Sequence, residues 1–300
     1  MALLVVAFYA ALMIAWPFIA ETRRTPAADL DPQTEGNYIA LSQGRTWFTL
    51  SGPADGPPVV LIHGLTTPSV IWLPLRALLA ARGYRVLSYD LYGRGLSDTV
   101  RGRQTLAFFR TQLSDLLDRL NVTRPVTLVG YSMGGAIAAD FAAGGHVPLA
   151  RVVLVATAGF DLNEPRFASV CRRLPILGDW LFMTFGAFAL RTESAAGPLG
   201  QVMRDQLRRR GFLRAVLSSR RGALTADIGD RHRDLAASGV TVAAVWGAQD
   251  SVIPLTALGK LAQINRDVAH DAVPDATHAL PFTHPHAVMR AIRTGDADAD

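Results

Sequence analysis

Short runs of β-branched and apolar residues recur along this chain, and longer stretches with helical periodicity separate them. The runs "PPVVLIHG", "YRVLSYD", "PVTLVG", "ARVVLVA" and "VTVAAVWG" are apolar at both parities, so each predicts a strand covered on both faces. Between them, Trp72 to Arg82 and Leu106 to Leu120 carry apolar residues at helical spacing, the latter with Leu106, Phe109, Leu113, Leu116, Leu117 and Leu120 on one face. Strand and helix alternating in this way predict an α/β fold, a mostly parallel central sheet flanked by helices. "YIAL" and "TWFTLSG", ahead of the first buried run, predict an opening hairpin.

Half of the 300 residues are apolar and 18% are charged, which excludes a largely disordered protein and suits one main domain with an insertion. The pattern places the core at residues 37–159 and 226–300, with a helical cap at 160–225 where no strand is evident. Those cap residues hold eleven arginines against five acids. Such a patch suits anionic lipid, nucleic acid or an acidic substrate; arginine stems lying over apolar surface explain it as well. No nucleic-acid recognition motif accompanies it, so no nucleic acid is expected. Within the cap, "LPILGDWLFMTFGAFAL" is short for a membrane span and interrupted by Asp179 and two glycines. Trp180, Phe182, Met183, Phe185 and Phe188 are expected to line a substrate pocket there, with plain cap core as the competing reading. Cys171, the single cysteine, forms no intrachain disulfide, and the "DADAD" tail is expected to fray.

Residues 2–20 contain no charge and precede "ETRR". At about 1.5 Å per residue the run just spans a hydrocarbon core of about 30 Å, so residues 1–22 read as an N-terminal membrane anchor. A cleaved signal peptide with export is the alternative; a basic n-region is absent and Phe18 stands where a small residue belongs. Arg23 and Arg24 place the main domain on the cytoplasmic side. Residues 23–36, polar and proline-punctuated, read as a linker.

The stretch "VGYSMGG" puts Ser132 between a predicted strand end and a predicted helix start, among Gly130, Gly134 and Gly135. Small neighbours at a sharp strand-to-helix turn are what an exposed nucleophile requires, although glycine and serine also build ordinary turns. A serine needs a base, and the base an orienting acid. "VTVAAVWGAQDSVIP" offers Asp250 and "AVPDATHALPFTHP" offers His278, each in a loop after a strand, in the chain order Ser, Asp, His. Asp161 competes as the acid against a capping or hinge role. His284 and His286 start the predicted last helix and suit surface or capping roles. His270 and Asp275 flank a predicted strand. Gly64 lets the loop after "VVLI" approach closely, so the amides of Leu65 and Met133 are the expected oxyanion donors, and His63 is expected to hold that loop.

Taken together, "HGLTTPSVIW", "YDLYGRGLSD", "GYSMGG", "WGAQDSVIP" and "DATHALPFTHP" resemble the successive motifs of the α/β-hydrolase superfamily, in particular its serine esterase, lipase and monoacylglycerol-lipase-like branch. The resemblance covers roughly residues 37–159 and 226–292 and implies Ser132 as nucleophile, Asp250 as acid, His278 as base and no cofactor or metal. It implies hydrolysis of a small-molecule ester, and the anchor with its apolar cap extends that to a lipid ester taken from the membrane. C–C bond, thioester or perhydrolase chemistry on the same residues, or a non-catalytic ligand-binding module, are the competing expectations.

Overall fold

The computed structural model describes residues 1–32, 35–193 and 199–293, the side chains of residues 192 and 193 excepted; the "DADAD" tail lies outside the described residues. The chain forms strands β1 (Asn37–Ala40), β2 (Arg45–Ser51), β3 (Pro58–Ile62), β4 (Arg85–Tyr89), β5 (Val126–Tyr131), β6 (Leu149–Val155), β7 (Val242–Gly247) and β8 (Ala269–Val273). They make one sheet in the order β1-β2-β4-β3-β5-β6-β7-β8. The pairs β1–β2 and β2–β4 are antiparallel and all others parallel.

Two-sided burial of the central strands is explicit in β3. Val60 and Ile62 enter one apolar core while Val59 and Leu61 enter the other, as side chains alternating across a sheet must. The helices that cover the sheet are α2 (Leu73–Ala81), α3 (Leu106–Arg119), α4 (Met133–Ala143), α9 (Gly229–Ala237), α10 (Leu255–Ile264), α11 (Leu280–Thr283) and α12 (Pro285–Arg293). Packed against the sheet and its neighbouring helices, α4 is buried from Met133 to Ala142 and is apolar nearly all round. The two edge strands are the exceptions: β1 is largely exposed, and in β8 residues 270–272 are exposed and "AHDAV" lacks an apolar run.

Among the described residues the cap's regular elements are helices: α5 (Arg166–Arg173), α6 (Leu177–Glu193), α7 (Leu199–Arg208) and α8 (Phe212–Arg221). It has its own core, including Cys171, Phe182, Met203, Phe212 and Leu217, and Leu65 of the β3 loop packs against that core.

Helix α1 (Ala2–Thr22) is the one described helix long and apolar enough to cross a membrane, and most of its side chains are exposed. The first residues after it dock on the cap. The amide of Thr25 donates to the carbonyl of Arg208 at 3.0 Å, and that of Arg210 to Thr25 at 2.8 Å. Glu21, 4% exposed, accepts from the amide of Gly211 and lies 2.8 Å from Arg24 Nε. Polar composition here serves backbone contacts with the α7–α8 corner.

Candidate active site

Ser132 joins β5 to α4 with φ 53° and ψ −120°, a backbone conformation that side-chain-bearing residues rarely adopt. The glycines make this turn possible by letting main chains touch. A Cβ on Gly130 would collide with the carbonyl of Gly134, and one on Gly134 with the carbonyls of Ile62 and His63. Gly135 lies as close to Thr157. The result lifts the hydroxyl off the sheet at the head of α4, where unpaired amides and the helix dipole favour negative charge.

Around that hydroxyl the structure brings together residues more than a hundred positions apart. His278 Nε2 lies 3.2 Å from Ser132 Oγ, and His278 Nδ1 lies 2.7 Å from Asp250 Oδ2. The other Asp250 oxygen accepts from the amides of Val252 at 2.8 Å and Ile253 at 2.9 Å, so the carboxylate is fixed at both ends. Its side chain is fully buried, while that of His278 is 20% exposed. Tyr131 braces the imidazole: its hydroxyl donates to the His278 carbonyl at 2.8 Å and the two rings stand 4.9 Å apart. Burial, reinforced by the Asp250 charge, pushes the Tyr131 phenol well above its ordinary value, so it remains a donor.

Leu65 and Met133 flank the same point. Met133 heads α4, and a Cβ built on Gly64 would stand 3.2 Å from Ser132 Cβ, so the backbone before Leu65 runs directly against the serine. His63 is fully buried below it. Its Nε2 accepts from the Leu91 amide at 2.8 Å, which leaves Nδ1 to donate to the Gly64 carbonyl at 2.8 Å. Burial drives its pKa down to about 3, so His63 is a neutral clamp between two loops.

Two buried arginines were not singled out from the sequence. Arg94 donates from Nε to the Leu65 carbonyl at 2.9 Å, from Nη1 to Tyr92 at 2.9 Å and to Gln104, and from Nη2 to Ser219 Oγ at 2.9 Å. It ties the loop of Leu65 to cap helix α8. Arg209 donates to the carbonyls of Gly95 and Ser97 and to Thr99 Oγ1, fastening the following loop to the cap. Burial lowers their pKa values to about 9 and about 10, and both remain charged at neutral pH. The only signal in the sequence was Arg94 standing between two glycines in "YGRGLSD".

The remaining candidates sort by position. Asp161 pairs with Lys260 and accepts from Thr256 Oγ1, at the surface rather than at the imidazole. His284 lies 3.4 Å from Asp275, His286 is exposed, and His270 sits within β8 rather than beside it. The five cap residues expected to line one pocket are divided. Phe182 and Met183 fill the cap core, Trp180 Nε1 donates to the Met13 carbonyl of α1, and Phe185 and Phe188 are 49% and 72% exposed. The cause is that α6 is apolar on every face, so it fills the core with one and presents another outward. Among the described residues no group of three or more His, Cys, Asp or Glu side chains is placed to hold a metal ion.

Comparison with known proteins agrees with this architecture. Solved structures with the same fold include a thermophilic esterase from Thermogutta terrifontis, with TM-score 0.68, 24% identity, and 87% of this chain and 97% of that one covered. An enol-lactonase from Burkholderia xenovorans matches with TM-score 0.70 and 21% identity over 86% and 98% of the two chains. Among curated sequences, the dihydrolipoyllysine-residue acetyltransferase component of the Pseudomonas putida acetoin cleaving system is 31% identical over 69% of this chain and 55% of its own length. A cis-3-alkyl-4-alkyloxetan-2-one decarboxylase of Xanthomonas campestris is 34% identical over 46% and 49%. The chain thus spans about half the length of these curated relatives. A family model described as "Alpha/beta hydrolase family" matches residues 59–291. The chain belongs to the α/β-hydrolase family.

Proposed function

We propose that this protein is a serine hydrolase that cleaves carboxylic esters through an acyl-enzyme, and that its substrates are lipophilic. The observation that carries the reading is the 3.2 Å approach of His278 Nε2 to Ser132 Oγ, with Asp250 behind the imidazole. In the first step His278 takes the Ser132 proton as Oγ attacks the ester carbonyl, and the oxyanion rests on the amides of Leu65 and Met133. His278 then protonates the departing alcohol. Water, deprotonated by the same imidazole, attacks the acyl-enzyme and releases the acid. Asp250 holds the imidazole in the tautomer that presents an unprotonated Nε2 and stabilises its charged form.

Support for lipophilic substrates comes from α1 and the outward face of α6. Leu177, Phe185 and Phe188 are exposed on a helix that packs beside α1, and α1 is long enough to cross a bilayer. A protein anchored this way meets esters that partition into the membrane.

The test is a fluorophosphonate probe followed by esters of graded chain length assayed beside thioesters. Wild-type protein should be labelled at Ser132 and prefer esters, and Ser132→Ala should lose both labelling and turnover, the latter on the order of 10⁶-fold. Near-parental activity in Ser132→Ala would end the proposal.

A further inference from the structure

Most of the cap's arginines have no part in the chemistry above. A cavity of ≈ 1190 Å³ lies between loop residues 99–104, the cap helices α5, α6 and α8, and the last turns of α1. Arg101, Arg103, Arg172, Arg214 and Arg221 border it, against one acid, Asp179. Arg172 lies 3.0 Å from Glu164 and Arg221 2.8 Å from Asp179, so these two are paired. Among the described residues, Arg101, Arg103 and Arg214 have no carboxylate within ion-pair reach, and all three are exposed. Three uncompensated cations around one cavity attract an anion.

The apolar part of the lining identifies the anion's class. Phe18 borders the same cavity, and the Arg214 guanidinium stands 5.9 Å from its ring centroid. Phe18 precedes the end of α1 by about one turn, or about 6 Å, which places the cavity at the boundary between hydrocarbon and headgroups when α1 spans the bilayer. Ile176, 85% exposed, and Met183 add apolar surface to it. A ligand here meets both guanidinium groups and apolar side chains, so it is an amphiphilic anion. At that depth a membrane supplies lipid phosphodiesters, which arginine forks bind well.

We propose that this cavity binds the headgroup of an anionic membrane phospholipid and so seats the cap on the bilayer surface. The proposal rests on the reading of α1 as a membrane helix and is independent of the chemistry at Ser132, none of whose partners lines the cavity.

In the test, full-length protein in nonionic detergent is titrated with dioleoyl phosphatidylglycerol, dioleoyl phosphatidylcholine or inorganic phosphate, and bound ligand is counted by native mass spectrometry. Phosphatidylglycerol should bind at least about tenfold more tightly than phosphatidylcholine, a difference of ~1.4 kcal/mol. The triple variant Arg101→Gln, Arg103→Gln, Arg214→Gln should lose that preference, and the charge-matched control Arg82→Gln, Arg119→Gln, Arg266→Gln should keep it. Should the triple variant not fold, as judged by its thermal midpoint, the exposed loop pair Arg101→Gln, Arg103→Gln gives the same reading. Equal binding of the two lipids, an undiminished preference in the variants, or displacement of phosphatidylglycerol by equimolar inorganic phosphate would overturn the proposal. Fractionation of cells keeps the underlying reading separate. Wild-type protein absent from membranes overturns the anchor and this site together, whereas lost preference in a variant that stays in the membrane fraction bears on the cavity alone.

Discussion

Ser132 holds an unfavourable backbone conformation because its own main chain is fixed on both sides. Its amide donates to Val155 at 3.0 Å, and its carbonyl accepts from Gly135 and Ala158, each at 3.0 Å. Strain of this kind persists only where the surroundings over-determine it. Asp250 is constrained as fully, with one oxygen given to the amides of Val252 and Ile253 and the other to His278. Asp250→Asn cannot satisfy both: with its oxygen kept on the amides, its NH₂ faces Nδ1 and forces the proton onto Nε2. We expect turnover of a soluble p-nitrophenyl ester to fall on the order of 10⁴-fold with little change in KM, measured by steady-state kinetics. A loss of less than tenfold would show that Asp250 does not set the imidazole tautomer.

Elements act as units in the attachment of α1. Thr25 exchanges two main-chain hydrogen bonds with the α7–α8 corner, the Glu21 side chain in the last turn accepts from the Gly211 amide, and Trp180 of α6 reaches the Met13 carbonyl farther along. The anchor and the cap therefore move together, and α6 lies beside whatever surrounds α1. Glu21 is the buried member of this joint. Glu21→Ala leaves the Gly211 amide without its acceptor, which costs about 1–3 kcal/mol when the group is buried. Limited proteolysis should then cut residues 23–36 faster, while the protein stays in the membrane fraction because the apolar surface of α1 is unchanged. Unaltered cleavage would show that the joint does not restrain the segment.

At the scale of the whole molecule, two buried histidines make stability depend on pH. Burial lowers His63 to about 3 and His232 to about 4, from an ordinary value near 6.5. Below that ordinary value the unfolded chain binds protons that the native protein refuses, so their stabilisation is complete above about pH 6.5 and declines as the pH falls. His232 is the better probe. It is fully buried, stacks on Phe160 at 5.2 Å, and neither ring nitrogen has a hydrogen-bond partner among the described residues. His232→Leu removes both the unsatisfied atoms and the linkage. At pH 5 it should gain about 2 kcal/mol more in unfolding free energy relative to wild type than at pH 7.5, read from denaturant titrations at the two pH values. An equal effect at both would show that burial does not shift the His232 pKa from its unfolded value.

Local patterning was enough to place most of the sheet and the serine. Strand β3 is apolar at both parities, α3 repeats at helical spacing, and three glycines surround one hydroxyl; each is a local pattern whose physics needs no knowledge of distant partners. The order of Ser132, Asp250 and His278 was legible for the same reason, since parallel strands deliver the loops that follow them to one edge of the sheet. What those elements touch depended on how they pack. The polar text after α1 reads as a linker, and the cap corner docks its first residues. The aromatic residues of α6 suited either a pocket or a core, and the placement of α1 and the cap core divided them. Arg94 and Arg209 look like surface charges in the sequence, and they are buried because the cap folds down over carbonyls they can reach. A side chain's period can be read along one dimension; its hydrogen-bond acceptors are supplied by whichever element packs against it in three.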